Sequence, residues 1–287
     1  MPQYIEKMAM FARRKIAHRA LQLARWADPS LEIEVVRTPD YRGLGLRDAH
    51  RSGWYHSDTM ELSEGFAIAP TDTVIDVGCG DGANIHFCAQ FAAHVIAIDA
   101  DQAKVAKAER RLQSGSKASY AVMLGDAGAI PIENMTADKV ICTEVLEHVD
   151  DPARVLSELV RIGKPGATYL LSVPDAASEN VLKRVGPKVI FEKPHHIRII
   201  ARDEFERMAV NAGLVVKTHT YRGFYWALWY AFSWKCGVGV NHDRRHPVLD
   251  LWTRTWNAVL DLPQGQDCKD ALDIAMPKSQ IIVACKP

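Results

Sequence analysis

The sequence predicts an α/β fold with a mostly parallel sheet covered by helices on both faces. Two observations carry this: β-rich and helix-periodic segments alternate from Thr73 to Thr220, and a glycine-rich turn joins the first strand to the first helix. Thr73–Val77 is a short β-branched strand, and after Gly78, Gly80 and Gly82 a helix is expected over Ala83–Ala93. His94–Asp99 reads as the second strand, followed by a helix over Asp101–Gln113. Ser119–Leu124 is the third strand and ends at Gly125-Asp126; Lys139–Thr143 is the fourth. A helix over Asp151–Ile162 stops at Gly163 and Pro165, and Ala167–Val173 is the fifth strand, ended by Pro174. A helix over Arg202–Ala212 ends at Gly213, and Leu214–Thr220 is the next strand. Gln280–Cys285 is the last strand candidate, at the chain end.

Ahead of this core, Tyr4 to Trp26 reads as an amphipathic helix with basic residues between its apolar positions. Leu31 to Ser63 reads as loops and short helix, with Gly43, Gly45 and Gly53 as breakers. The expected division is an N-terminal helical and loop segment (1–63), a core (64–222 with 279–287) and an inserted segment (223–278). Five of the seven tryptophans fall in that insertion.

Over 287 residues, Lys plus Arg and Asp plus Glu are 35 each. Zero net charge gives no long-range field to gather nucleic acid, so no nucleic-acid partner is expected. The six cysteines form no Cys-x-x-Cys pair, which argues for reduced thiols in a cytoplasmic protein rather than a zinc knuckle or disulfide framework. Basic residues interrupt the N-terminus, so no secretory signal is expected, and no apolar run is long enough to span a membrane.

The glycine turn points to an anionic or polar ligand held by backbone N–H groups. Gly78-x-Gly80-x-x-Ala83 with Asp99 also fits a nicotinamide dinucleotide fingerprint, which keeps an NAD(P)-dependent oxidoreductase as an alternative. Two acids favour another ligand. Asp76, inside the strand end, repels a pyrophosphate but attracts an ammonium, and Asp126 at the end of the third strand suits an exocyclic amine.

Val74 to Gly82, Ile98-Asp99, Gly125-Asp126-Ala127 and Thr143-Glu-Val-Leu-Glu-His148 together resemble the motif series of class I S-adenosyl-L-methionine (SAM)-dependent methyltransferases. The pattern is similar to the type 11 group that includes ubiquinone-biosynthesis O-methyltransferases. The resemblance covers roughly Thr71 to Val216 and the final strand. It implies a Rossmann-like seven-stranded sheet, mostly parallel with an antiparallel C-terminal strand, plus an aromatic helical insertion before that strand. It implies SAM as cofactor. Asp76 and the backbone of Gly78, Cys79 and Gly80 would hold its methionine end, Asp99 with Ala100 the ribose, Asp126 with Ala127 the adenine, and Thr143 with Glu144 the sulfonium side.

Methyl transfer to an O or N acceptor needs alignment in a dry pocket and, for a hydroxyl or ammonium, a base near the C-terminal strand ends. His148, His195 and His196 meet that condition as candidate bases or substrate contacts. Glu144, Glu147, His148 and His196 are also similar to the divalent-metal constellation of small-RNA 2′-O-methyltransferases and some ubiquinone-pathway enzymes. The same spelling occurs in type 11 members with no known metal, and no metal is assigned from it. The insertion is the expected substrate cover, with Tyr225, Trp226, Trp229 and Tyr230 available to stack on a ring-containing or apolar small molecule. The same apolar rings fit a peripheral membrane contact or a homodimer contact, and a non-catalytic SAM-binding subunit is a further alternative.

Overall fold

The computed structural model describes residues 41–238 and 246–287. The expected helix over Tyr4–Trp26 lies outside them. The chain enters as α1 (Tyr41–Arg51) and a small antiparallel sheet of β1 (Trp54–His56), β2 (Glu61–Ser63) and β3 (Phe66–Ala67). The core then runs β4 (Thr73–Val77), α2 (Ala83–Cys88), β5 (His94–Asp99), α3 (Gln102–Gln113), β6 (Ser119–Leu124), β7 (Ala137–Thr143), α4 (Pro152–Ile162) and β8 (Gly163–Pro174). After α5 (Ala176–Val185) come a 3₁₀ turn (Lys188–Phe191), α6 (Arg202–Asn211) and β9 (Val215–Arg222). Three helices, α7 (Phe224–Lys235), α8 (Pro247–Asp261) and α9 (Gly265–Ala275), precede β10 (Ser279–Cys285).

The seven-stranded sheet has the order β6-β5-β4-β7-β8-β10-β9, and β10 runs antiparallel to both its neighbours. The expected mostly parallel sheet with one antiparallel C-terminal strand is therefore present. Strand order reverses between β4 and β7, which opens a crevice at their C-terminal ends, where Asp76–Gly78 and Thr143-Glu144 lie.

Alternation along the strands builds a core on each face. Ile75, Val77, Ile98, Val140 and Leu171 pack on one side with Leu156 and Leu159 of α4 and Phe205 of α6. Val74, Val95, Ala97 and Ile141 pack on the other with Ile85 of α2 and Leu112 of α3. Asp101 caps α3 through Ala103 N, 2.7 Å, and Asp151 caps α4 through Arg154 N, 3.0 Å.

Three sequence expectations need correction. The breakers Gly43 and Gly45 lie inside α1, not in a loop. A side chain at Gly45 would overlap the Trp226 ring, so this glycine lets α1 and α7 approach closely. The helix expected to reach Ala93 stops at Cys88. Gln90 N and Phe91 N already bond three residues back, tightening the chain so that Ala93 and His94 can both donate to Asp72 O at the start of β5. Finally, α5 was not expected after Pro174. Asp175, fully buried, caps it through Ala177 N at 2.8 Å and accepts from Arg202 Nε at 2.7 Å.

Helix α7 carries rings on every side and is accordingly packed on several sides. Tyr225 and Trp229 join Leu44, Leu249, Trp256 and Leu260 in a third core. Beneath it Lys269, Asp273 and Asp48 form a buried charged cluster: Lys269 Nζ lies 2.7 Å from Asp273 Oδ2 and 3.3 Å from Asp48 Oδ1, which also accepts Trp256 Nε1 at 2.8 Å. Asp273 Oδ1 accepts from Phe224 N, tying α9 to the start of α7. No helix among the described residues is long and apolar enough to cross a membrane.

Candidate active site

The turn after β4 is held by the neighbouring strand: Gly78 N and Cys79 N both donate to Ile98 O, at 2.8 and 3.0 Å. Gly78, Gly80 and Gly82 all have positive φ, which L side chains adopt only under strain. At Gly78 a side chain would also overlap a methyl group of Val145, which packs directly on the turn. Gly78→Ala is therefore expected to cost about 1–3 kcal/mol of stability by chemical denaturation, from strained φ and the overlap together.

Asp76 is buried, 1% exposed, and neither carboxylate oxygen has a hydrogen-bond partner among the described residues. Burial, reinforced by the charge of Asp99, pushes its carboxyl up to about 7. A buried carboxylate with both oxygens unbonded is costly, and its need is a cation that can donate hydrogen bonds. An α-ammonium meets that need and a pyrophosphate does not.

Asp99 works differently from a free ribose ligand. Its Oδ2 accepts from Gly80 N at 2.8 Å and its Oδ1 from Asp101 N at 2.9 Å, so it fixes the glycine turn and the start of α3 while its remaining lone pairs stay open. Ala100, just beyond it, is exposed. Asp126 is exposed beyond β6, with Oδ1 accepting from Gly128 N at 2.7 Å, and Ala127 packs against the main core. Cys79 is buried, and burial followed by the charges of Asp76 and Asp99 pushes its thiol up, so it is inert as a nucleophile.

A cavity of about 250 Å³ adjoins the end of β7. Thr143 lines it and accepts at Oγ1 from Asn84 Nδ2, 3.2 Å, while Asn84 Oδ1 accepts from the Tyr55 hydroxyl at 2.7 Å. Trp54, Trp226 and Ile281 are its apolar walls. A second cavity, about 300 Å³, is lined by Glu147, His148, His195, His196, Glu179 and the apolar Pro174, Leu182, Ile190, Tyr230 and Trp234. Glu144 and Lys278 line both.

In the second cavity the His148 and His196 rings stand edge to face, 5.0 Å between centroids. Each has a carboxylate: Glu147 Oε1 lies 3.5 Å from His148 Nε2, and Glu179 Oε2 lies 2.8 Å from His196 Nδ1. Burial lowers the His148 pKa most, with the His196 charge adding to it and nearby backbone groups opposing it. Glu147, 1% exposed and with neither side-chain oxygen hydrogen-bonded among the described residues, is pushed well above the usual carboxyl range by burial and then by Glu144. His195 is exposed, and its N–H closes a turn onto Glu192 O at 2.8 Å.

Glu147, His148 and His196 each offer a ligand atom, all within 4.8 Å of one another. Glu144 stands apart from that set: it is ion-paired with Lys278 and accepts from Ser172 Oγ at 3.0 Å. Burial opposes its charge, yet Lys278 beside it holds the carboxyl below its ordinary value. Of the four aromatic residues expected to meet a substrate, Trp226 and Tyr230 line cavities, while Tyr225 and Trp229 are fully buried in the core of the α7–α9 unit, Tyr225 bonded to Thr253 Oγ1 at 3.0 Å.

Glu179, Lys278, Tyr55 and Asn84 were missed in the sequence. Glu179 was legible only through α5, whose signal is the capping Asp175 before two alanines. Lys278 is one of many lysines until the fold brings β10 beside β8.

Residues 75–171 match the family model described as a methyltransferase domain. A ubiquinone biosynthesis O-methyltransferase of Nitrosospira multiformis is 32% identical over 68% of this chain and 78% of its own length. An uncharacterised transposon protein of Streptomyces fradiae is 29% identical over 72% of this chain, and a ubiquinone biosynthesis O-methyltransferase of Hahella chejuensis is 38% identical over 37% of it. The chain spans only 60% and 44% of those two relatives. A SAM-dependent methyltransferase structure from Mesorhizobium loti superposes with a TM-score of 0.50 at 13% identity, over 76% of this chain and 92% of its own, which speaks for the fold alone. With the switch-point crevice, the glycine turn and the orphan carboxylate of Asp76 in place, the chain belongs to the class I SAM-dependent methyltransferases, type 11 group.

Proposed function

We propose that this protein transfers the methyl group of SAM to a hydroxyl oxygen of a small, ring-containing or apolar molecule. The observation that carries the reading is the His148/His196 pair, each ring beside a glutamate side chain, in a cavity walled by Tyr230, Trp234, Ile190 and Leu182. A base is what a hydroxyl acceptor requires and a free amine does not. The relatives named as O-methyltransferases support the same acceptor atom.

SAM would lie across the C-terminal ends of β4, β5 and β7, its ammonium on Asp76 and its ribose toward Asp99. The sulfonium would lie toward Thr143 and Glu144. The acceptor oxygen attacks the methyl carbon in line with the carbon–sulfur bond, which breaks as the new carbon–oxygen bond forms. The hydroxyl proton passes to a histidine, and S-adenosylhomocysteine leaves. The protein's contribution is alignment, exclusion of water by the aromatic walls, and the proton acceptor.

A second reading rests on Glu147, His148 and His196. The donor set fits a divalent cation: neither oxygen of Glu147 is hydrogen-bonded among the described residues, and Glu179 on Nδ1 of His196 leaves Nε2 of that ring to ligate. Such an ion would lower the pKa of an acceptor hydroxyl.

The test of the first reading is transfer of tritiated methyl from SAM into a fractionated metabolite extract. Label in a product whose ether linkage resists mild base supports it; label confined to amines, or none, overturns the acceptor assignment.

A further inference from the structure

Glu144 holds a backbone conformation with φ of 57°, a left-handed geometry that is strained for a residue other than glycine. Three bonds hold it there. Glu144 N donates to Ser172 O at 2.9 Å, Ser172 Oγ donates to Glu144 Oε1, and Lys278 Nζ pairs with Glu144 Oε2. Two of the three come from β8, part of the core sheet. The third comes from Lys278, the residue that joins the α7–α9 unit to β10.

The next residue, Val145, is the one whose methyl group fills the space above Gly78. The left-handed turn at Glu144 is what aims the chain from the end of β7 back over the glycine turn, so the side chain of Glu144 and the placement of Val145 are set together. Lys278 Nζ also lies 3.2 Å from Ser279 Oγ, which anchors the ammonium at the start of β10, and the Lys278 backbone carbonyl accepts from Asp175 N at 3.1 Å. The lysine is thus fixed at its base and points its charge at Glu144 from the wall between the two cavities.

We propose that Lys278 is a positioning residue for the methyl donor: through Glu144 it holds Val145 down on Gly78 and thereby shapes the seat of the amino-acid arm of SAM. The inference rests on the donor site proposed above. It makes the α7–α9 unit, which supplies Trp226 and Tyr230 to the two cavities, answerable to the same ion pair that shapes the donor seat. It also has a spatial signature. The contact falls at Gly78, two residues after Asp76, whereas Asp99 meets the turn at Gly80 and Asp126 lies beyond β6, so the effect is expected to fall mainly on the amino-acid end of the donor.

The experiment is titration calorimetry of the full chain with SAM and, separately, with 5′-methylthioadenosine, which has the adenosine and sulfur but no amino-acid arm. Lys278→Met is expected to weaken SAM about tenfold, within the range of ordinary site coupling, and to leave methylthioadenosine affinity unchanged. Lys278→Arg is expected to recover most of the loss. Val145→Ala, which removes the methyl groups over Gly78 without touching the ion pair, is expected to reproduce the selective loss for SAM.

Equal weakening of both ligands by Lys278→Met marks a general loosening of the fold and overturns the proposal. So does unchanged SAM affinity in Lys278→Met or in Val145→Ala. Failure of the wild-type chain to bind SAM at all removes the donor site itself and this inference with it. That result is distinguishable because no variant is needed to see it.

Discussion

Asp76→Asn is expected to weaken SAM binding by about 100-fold or more while making the ligand-free protein more stable at pH 8. The loss follows from removing one partner of a buried charge pair, which costs about 2–5 kcal/mol in comparable cases. The gain follows from the carboxylate having no hydrogen-bond partner among the described residues when the donor is absent. Its folded pKa of about 7 stands above the ordinary 3.8, so the native state holds a proton that the unfolded state has released. Stability therefore falls as pH rises from about 4 to 7, and above 7 the full cost is about 4 kcal/mol. Asparagine carries no such charge. The stability difference between variant and wild type should be largest at pH 8 and vanish near pH 4, as read from denaturation midpoints. The wild type should bind SAM more weakly below pH 7, since the ammonium must then displace a proton, and Asp76→Asn should show no such slope. Equal SAM affinity in both proteins at pH 8 would remove Asp76 from the donor site.

This carboxylate shows how unevenly the sequence discloses its structure. The strand it ends was legible because Thr73–Val77 is short, β-branched and closed by glycines, and those features depend on neighbours in the chain. The boundaries of β5 and β6 match the expected segments for the same reason. A short helix was expected before the core and is present, but Gly43 and Gly45, given their local meaning as breakers, fall inside it. In the fold Gly45 serves a distant ring, Trp226, and no local signal encodes that. The histidines divide in the same way: three were visible as candidates, but only the fold sets His148 against His196 and leaves His195 at the exposed side of the same cavity. The aromatic run was conspicuous by composition, yet which rings face cavities depends on how α7 rotates against α1, α8 and α9.

The second large effect is expected at the histidines. His148→Ala and His196→Ala should each lower kcat by about 10²–10⁴-fold, the usual contribution of a positioned proton acceptor, with SAM affinity unchanged by calorimetry. Only neutral imidazole accepts a proton, so the rate should rise with pH and then level. Burial lowers the His148 pKa, so the midpoint of that rise should lie below the free histidine value of about 6.5.

Glu147 separates the two roles the pair can play. Without a cation, burial and then Glu144 push its carboxyl toward the neutral acid, which an amide mimics closely. If the histidines act as bases alone, Glu147→Gln should leave the rate close to wild type and chelation by EDTA should have no effect. If the three residues hold a divalent ion, the same substitution removes an anionic ligand. Activity should then fall as far as in His148→Ala, and EDTA should abolish wild-type activity until a divalent ion is restored. The two outcomes differ by orders of magnitude in a single variant, because the charge state of Glu147 depends on whether a cation lies beside it.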